Sequence, residues 1–169
     1  YPGDKPHHMI SVGTVCGSWW SGAPNEFGVP HAMMSDGTPN GYAFLHISGN
    51  DWKMKWNVAG KPADFQMHID APESVRADGN ETIKVTANIY NALPSADVKM
   101  RIGNEGEWIS MERKRQNAPA RVEAMEIEDQ LDKVPWRKLG NARTSEHIWV
   151  AEQEVSRDPG TYLIQVKAE

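Results

Sequence analysis

The sequence predicts a mainly β protein: an antiparallel immunoglobulin- or fibronectin-like sandwich over 61–169, preceded by a strand, a long loop and a hairpin over 1–60. Three observations point there. Apolar residues recur at every second position in several short runs, the period of a strand with one buried face. Turn-forming residues separate those runs. The composition also changes near Gly60-Lys61-Pro62, where a turn is easy. Residues 1–60 hold only seven charged side chains but nine of the 14 glycines.

Each element has its own reason. His8 to Val15 is apolar and β-branched enough for a buried strand. Residues 16–41 hold Gly17, Gly22, Pro24, Gly28, Pro30, Gly37, Pro39 and Gly41, a density that forbids a regular helix or strand. Tyr42 to Ile47 reads as a strand, Ser48-Gly49-Asn50-Asp51 as its turn, and Trp52 to Val58 as the returning strand. There Trp52, Met54, Trp56 and Val58 share one face, with Lys53, Lys55 and Asn57 on the other. Beyond Gly60 the same alternation places Phe65, Met67 and Ile69, then Ile83, Val85, Ala87 and Ile89, then Val98, Met100 and Ile102, on buried faces. Trp108 to Met111 follows a hairpin-type turn at Gly103-Asn104-Glu105-Gly106. His147 to Val155 and Tyr162 to Ala168 complete the set, with Asp158-Pro159-Gly160 between them. Ala120 to Lys133 breaks the pattern. It reads either as a short helix with Val122, Met125 and Leu131 inward or as an irregular acidic loop.

Composition excludes several function classes. The net charge of −5 does not favour a nucleic-acid partner. No run of 18 apolar residues provides a membrane-spanning helix. The single cysteine, Cys16, rules out an internal disulfide and a Cys-based zinc site. Mean hydropathy is −0.62, as expected of a soluble protein. Tyr1-Pro2-Gly3-Asp4 is neither a signal peptide nor an initiator, so a processed chain or a fragment is expected.

The six histidines lack any close ligand spacing, and His7-His8 would point to opposite faces of a strand. They read as ordinary surface or strand residues, and no metal site is expected within the chain. Cys16 has no base beside it in sequence and reads as a small buried thiol. Arg113-Lys114-Arg115, with Arg121 nearby, reads as a solvated charged face rather than an anion grip. The loop from Gly17 to Tyr42 is the most informative stretch. Trp19 and Trp20 on an extended chain would point in opposite directions, one inward and one outward. Indole faces stack on sugar rings or bases, and nearby Ser18, Ser21, Asp36 and Asn40 offer hydrogen bonds to hydroxyls. The plainer alternative is that both tryptophans pack the loop down.

Specific strings sit in this loop. ISVGTVCGSWWSG (10–22) and SDGTPNGYAFLHISGNDWKMKWNVAG (35–60) resemble the C-terminal region of bacterial calcineurin-like phosphoesterases of the Bacteroidetes type. DFQMHIDAP (64–72), VKMRIGNEGEWISMER (98–113), SEHIWVAE (145–152) and DPGTYLIQVKA (158–168) extend the likeness over nearly the whole chain. The resemblance implies that an immunoglobulin-like module and a dinuclear metallophosphoesterase core lie upstream in the same protein. It also implies a secreted or periplasmic location. The core's Asp-x-His, Gly-Asp-x-x-Asp, Gly-Asn-His-Asp/Glu and Gly-His-x-His ligand motifs are all missing here. Gly49-Asn50, Gly79-Asn80, Gly103-Asn104 and Gly140-Asn141 are never followed by His. The dinuclear metal is therefore expected in the upstream domain, and no catalytic residue carries over to this chain.

The resemblance makes residues 1–60 a candidate for the closing strands of that core, with Trp19, Trp20, Asp36, Asn40 and Tyr42 as candidate substrate-facing residues. The leading expectation is a non-catalytic region that completes or covers the phosphoesterase core. The alternative is a free-standing sandwich that binds carbohydrate or cell-envelope material. A stand-alone enzyme would need a metal cluster that the motifs do not supply. A homodimer through exposed strand edges is a further candidate.

Overall fold

The computed structural model describes residues 9–25, 27–76, 81–155 and 158–169. The fold is mainly β and antiparallel. A hairpin comes first: β1 (Gly41–Ser48) and β2 (Asp51–Val58) pair in register from Gly41↔Val58 to Ser48↔Asp51 around a two-residue turn. The expected strand over 8–15 does not form. His8 lies outside the described residues, and 9–14 carry no strand, with Met9 89% exposed and Val12 and Val15 also exposed. β-branched propensity fits a residue for a pleated surface but supplies no partner strand. The described residues of 16–40 stay irregular apart from one isolated bridge between Pro24 and Pro30, and Gly41 already belongs to β1.

Two antiparallel sheets follow and pack as a sandwich. One contains β3 (Met67–Asp70), β4 (Glu81–Ile89), β8 (Ser145–Val155) and β7 (Glu112–Gln116), in the order β3-β4-β8-β7. The other contains β6 (Ile109–Ser110), β5 (Val98–Ile102) and β9 (Ile164–Ala168), in the order β6-β5-β9. The core lies between them. It is built from Ile83, Val85, Ala87 and Ile89 of β4, Val98, Met100 and Ile102 of β5, and Trp149 and Ala151 of β8. The period-two reading of β4 and β5 placed the correct side chains inward.

Met111 is the corner where the chain changes sheets. It alone separates β6 from β7, and its N–H donates to Val98 O at 2.8 Å. The β6 and β7 edges must therefore lie one above the other. Counting inward from that corner, β5 covers β8 and β9 covers β4. β3 is left without a facing strand among the described residues. Its Met67 and Ile69 accordingly pack against the core while staying only partly buried.

The irregular acidic stretch is a helix, α1 (Pro119–Asp129), with Pro in its first turn. Of the expected inward residues Val122 and Met125 are half-buried, but they are not the most buried ones. Arg121 and Glu128 are buried, whereas Leu131 lies beyond the helix and is exposed. Arg121 is thus no part of a solvated basic face. Arg113 and Arg115 do lie on such a face, and both pair with Glu146 of β8, at 2.8 and 2.7 Å. Among the described residues no helix is long and apolar enough to cross a membrane.

The hairpin and loop are not loose appendages. Trp56 and Val58, at the root of the hairpin, pack with Tyr90 at the end of β4. Asn91 Nδ2 donates to Met54 O and Gln66 Nε2 to Trp56 O. The hairpin tip is bare: Leu45, Ile47 and Trp52 share one face of the pair and all are exposed.

Candidate functional site

The loop that carries the site is pinned by buried polar groups. Arg121 is only 1% exposed, and its guanidinium donates to Met33 O at 2.8 Å and to Gly140 O. Burial pulls its pKa down, while Glu128 and Asp36 oppose that by favouring the cation. Glu128, also buried, accepts hydrogen bonds from Trp136 Nε1 and from the Leu139 N–H. α1 therefore buries a polar stripe because the two loops flanking it have backbone groups to satisfy. Ser18 Oγ donates to the same Met33 carbonyl.

The turn at Asp36-Gly37-Thr38 lies against the second face of β4. Gly37 has φ +84°, and a Cβ there would sit 2.2 Å from the Ala118 Cβ. Only glycine fits both demands. Asn88 Nδ2 donates to Gly37 O at 3.1 Å, which leaves Asn88 Oδ1 as an acceptor. His147 Nδ1 lies 2.7 Å from that oxygen and so donates to it. His147 Nε2 then faces Thr38 Oγ1 at 3.2 Å and Asp36 Oδ2 at 3.4 Å. The chain of hydrogen bonds leaves the turn at Gly37 and returns to it at Thr38 and Asp36. Burial opposes ionisation of Asp36. The His147 ring beside it and a hydrogen bond from the Thr38 N–H outweigh that penalty and hold its carboxyl below the usual range.

This ring borders a cavity of about 520 Å³. Asp36, Thr38 and His147 form its polar wall. Trp56, Met34 and Met54 form an apolar wall, and Trp19 stands at the cavity as well. Trp56 is buried, and its indole N–H has no acceptor among the described residues. Burial raises the Tyr90 phenol well above its ordinary pKa, so it lines the cavity as a neutral hydroxyl. Cys16 reaches the cavity half-buried, with its Sγ 3.2 Å from Thr14 Oγ1.

The five residues singled out from sequence fall into two groups. Trp19 and Asp36 meet at the cavity. Trp20, Asn40 and Tyr42 do not line it. Asn40 Nδ2 ties the loop to Val15 O at 2.8 Å, and Tyr42 stands exposed on the hairpin with its ring edge-on to Phe44. The two tryptophans do not alternate inward and outward. Both take positive φ, 57° and 54°, in a turn closed by Trp20 N–H to Cys16 O, and both are exposed, at 75% and 48%. The turn removes the extended backbone on which alternation depends.

Thr38, His147 and Asn88 stand in the order hydroxyl, base and orienting group, an arrangement that can activate a nucleophile. The Asp36 carboxylate at the same His147 nitrogen works against that use, because it would repel an oxyanion developing there. The arrangement instead suits binding: a fixed carboxylate beside aromatic surface. Among the described residues no three His, Cys, Asp or Glu side chains converge to hold a metal ion, so these residues do not fit a dinuclear centre.

The structure thus defines an antiparallel β-sandwich protein whose long loop builds a ligand-sized cavity against one sheet. Residues 10–169 match the family described as the C-terminal of calcineurin-like phosphoesterase, and the chain belongs to that family. No curated protein and no solved structure gave a significant match.

Proposed function

We propose that this chain is the non-catalytic C-terminal region of a metal-dependent phosphoesterase, completing or covering the catalytic core that precedes it and contributing to substrate binding. The β1–β2 hairpin carries the proposal. It is a two-stranded sheet with no further strand on either edge among the described residues, and it exposes Leu45, Ile47 and Trp52 on one face and Tyr42 and Phe44 on the other. An isolated hairpin is marginal in water, and open apolar edges invite another sheet. The neighbouring stretch with exposed Met9, Val12 and Val15 adds to that surface. The upstream phosphoesterase domain is the partner that family membership supplies, and the dinuclear metal belongs there. We assign the protein to a secreted or periplasmic compartment on the same family grounds. We read the sandwich as immunoglobulin-like because β3-β4-β8-β7 and β6-β5-β9 follow the A-B-E-D and C′-C-F strand orders of that fold.

Turnover of an aryl phosphodiester with added manganese tests the division of labour. The chain alone should show no chelator-sensitive turnover, and the same chain joined to its upstream domain should. Replacing Leu45 and Ile47 by Asp in the joined protein should lower that activity. Chelator-sensitive turnover by the chain alone would overturn the proposal. A homodimer through the hairpin edges is the competing occupant, and light scattering of the isolated chain distinguishes it.

A second reading, a free-standing module for carbohydrate or cell-envelope material, is favoured by the exposure of both Trp19 and Trp20. Retention of the isolated chain on an insoluble cell-wall preparation tests it, and loss of retention in Trp19→Ala is the expected signature.

A further inference from the structure

We propose that the cavity between the Trp19 turn, the Asp36 turn and β2 is a saccharide-binding site. The fit is chemical as well as geometric. About 520 Å³ lies within the range of small-molecule cavities and has room for a sugar ring with its hydroxyls. Sugars need aromatic surface for their C–H faces and mixed donors and acceptors for their hydroxyls. Trp19 supplies an exposed indole on a turn whose backbone takes positive φ. Strained backbone of this kind persists where surrounding structure over-determines it, and it clusters at ligand sites.

The hydrogen-bonding inventory is mixed in the way hydroxyls require. Asp36 is an acceptor, oriented by the ring through His147 and Asn88. Asn91 commits its Nδ2 to Met54 O, so its oxygen remains for a donor. Tyr90 provides a neutral hydroxyl that can donate or accept.

The same inventory argues against an anion as the ligand. Among the described residues the lining includes no lysine or arginine, and the Asp36 carboxylate lies there. A phosphoryl group would be repelled. If the chain serves an upstream phosphoesterase, as proposed above, the cavity would hold the sugar portion of the substrate while the metals hold its phosphate. That assignment of substrate class rests on the accessory reading, whereas binding by the isolated chain does not.

The experiment is saturation-transfer NMR and intrinsic-fluorescence titration of the full 169-residue chain. The probes are methyl glucoside, methyl mannoside, galactose and N-acetylglucosamine, with choline and inorganic phosphate as comparison ligands. At least one saccharide should bind in the millimolar range or tighter. Trp19→Ala and Asp36→Asn should each weaken it by about tenfold or more, the size of one lost stacking or charge-assisted contact. Ile127→Ala, on the exposed side of α1, should leave it unchanged. Trp19 is exposed, so its replacement keeps the test valid even if Asp36→Asn fails to fold. Absence of saccharide binding, binding indifferent to Trp19→Ala, or binding of choline or phosphate alone would each overturn the proposal. None of those results bears on whether the hairpin docks on a catalytic core, which turnover of the joined protein decides separately.

Discussion

Replacing Arg121 by Met should loosen the loop that builds the cavity. The guanidinium is buried and satisfies two backbone carbonyls, Met33 O and Gly140 O, on loops at either side of α1. Methionine matches the stem but leaves Gly140 O without its donor, whereas Met33 O keeps the Ser18 hydroxyl. Each buried group left unsatisfied costs about 1–3 kcal/mol. Glu128 would also lose a nearby cation, although it keeps Trp136 and the Leu139 N–H. Removing a buried cation recovers some of its desolvation penalty, which pulls the other way. The net loss should be about 1–3 kcal/mol, or roughly 3–10 °C in melting temperature for a chain of this length. Thermal and urea unfolding followed by circular dichroism measures it. Arg121→Lys should recover little, because a single ammonium cannot fork to both carbonyls. A Met variant that melts within a degree of wild type, with an unchanged urea midpoint, would refute the reasoning.

Other perturbations have defined directions. Gly37→Ala should destabilise the protein by more than about 1 kcal/mol, since it combines positive φ with a clash against Ala118; unfolding by urea reads it. Met100→Ala, at a fully buried core position, should cost about 2–5 kcal/mol in the same assay. Asp36 has a folded-state pKa below its ordinary 3.8, so its ionised form stabilises the fold. The stability difference between wild type and Asp36→Asn should be full above that pH and shrink as pH falls through the lower folded value. A difference that instead grew in acid would show the wrong sign for the His147 contact.

How much of this was legible in the sequence varies by element. Period two exposed the sandwich core directly on β4 and β5, whereas β8 buries apolar side chains on both faces, Trp149 and Ala151 on one and Ile148 and Val150 on the other. The hairpin was equally plain from its alternation and its Gly49-Asn50 turn. The site was only half legible. Asp36 and Trp19 stood out in a loop rich in turn residues. His147 and Asn88 did not, because they lie 111 and 52 positions from Asp36 and only the β4–β8 pairing brings them together. One signal was available: Thr86, Asn88 and Tyr90 alternate on the second face of β4, and all are buried. A strand whose polar face is also buried must have something packed against it. Arg121 was misread for a related reason. Apolar periodicity singled out Val122 and Met125, which are only half-buried, because what α1 buries most deeply is hydrogen-bonding capacity rather than hydrocarbon. The missing strand over 9–14 is a case of propensity without a partner, and the same exposed residues now mark the surface where a core should dock.

Hydrogen exchange at the hairpin amides tests the central claim most directly. It should be measured by mass spectrometry on the chain alone and on the chain joined to its upstream phosphoesterase domain. Peptides covering 41–58 should exchange markedly more slowly in the joined protein, as the open edges of β1 and β2 become covered. Identical exchange in both would contradict a role in completing or covering the catalytic core.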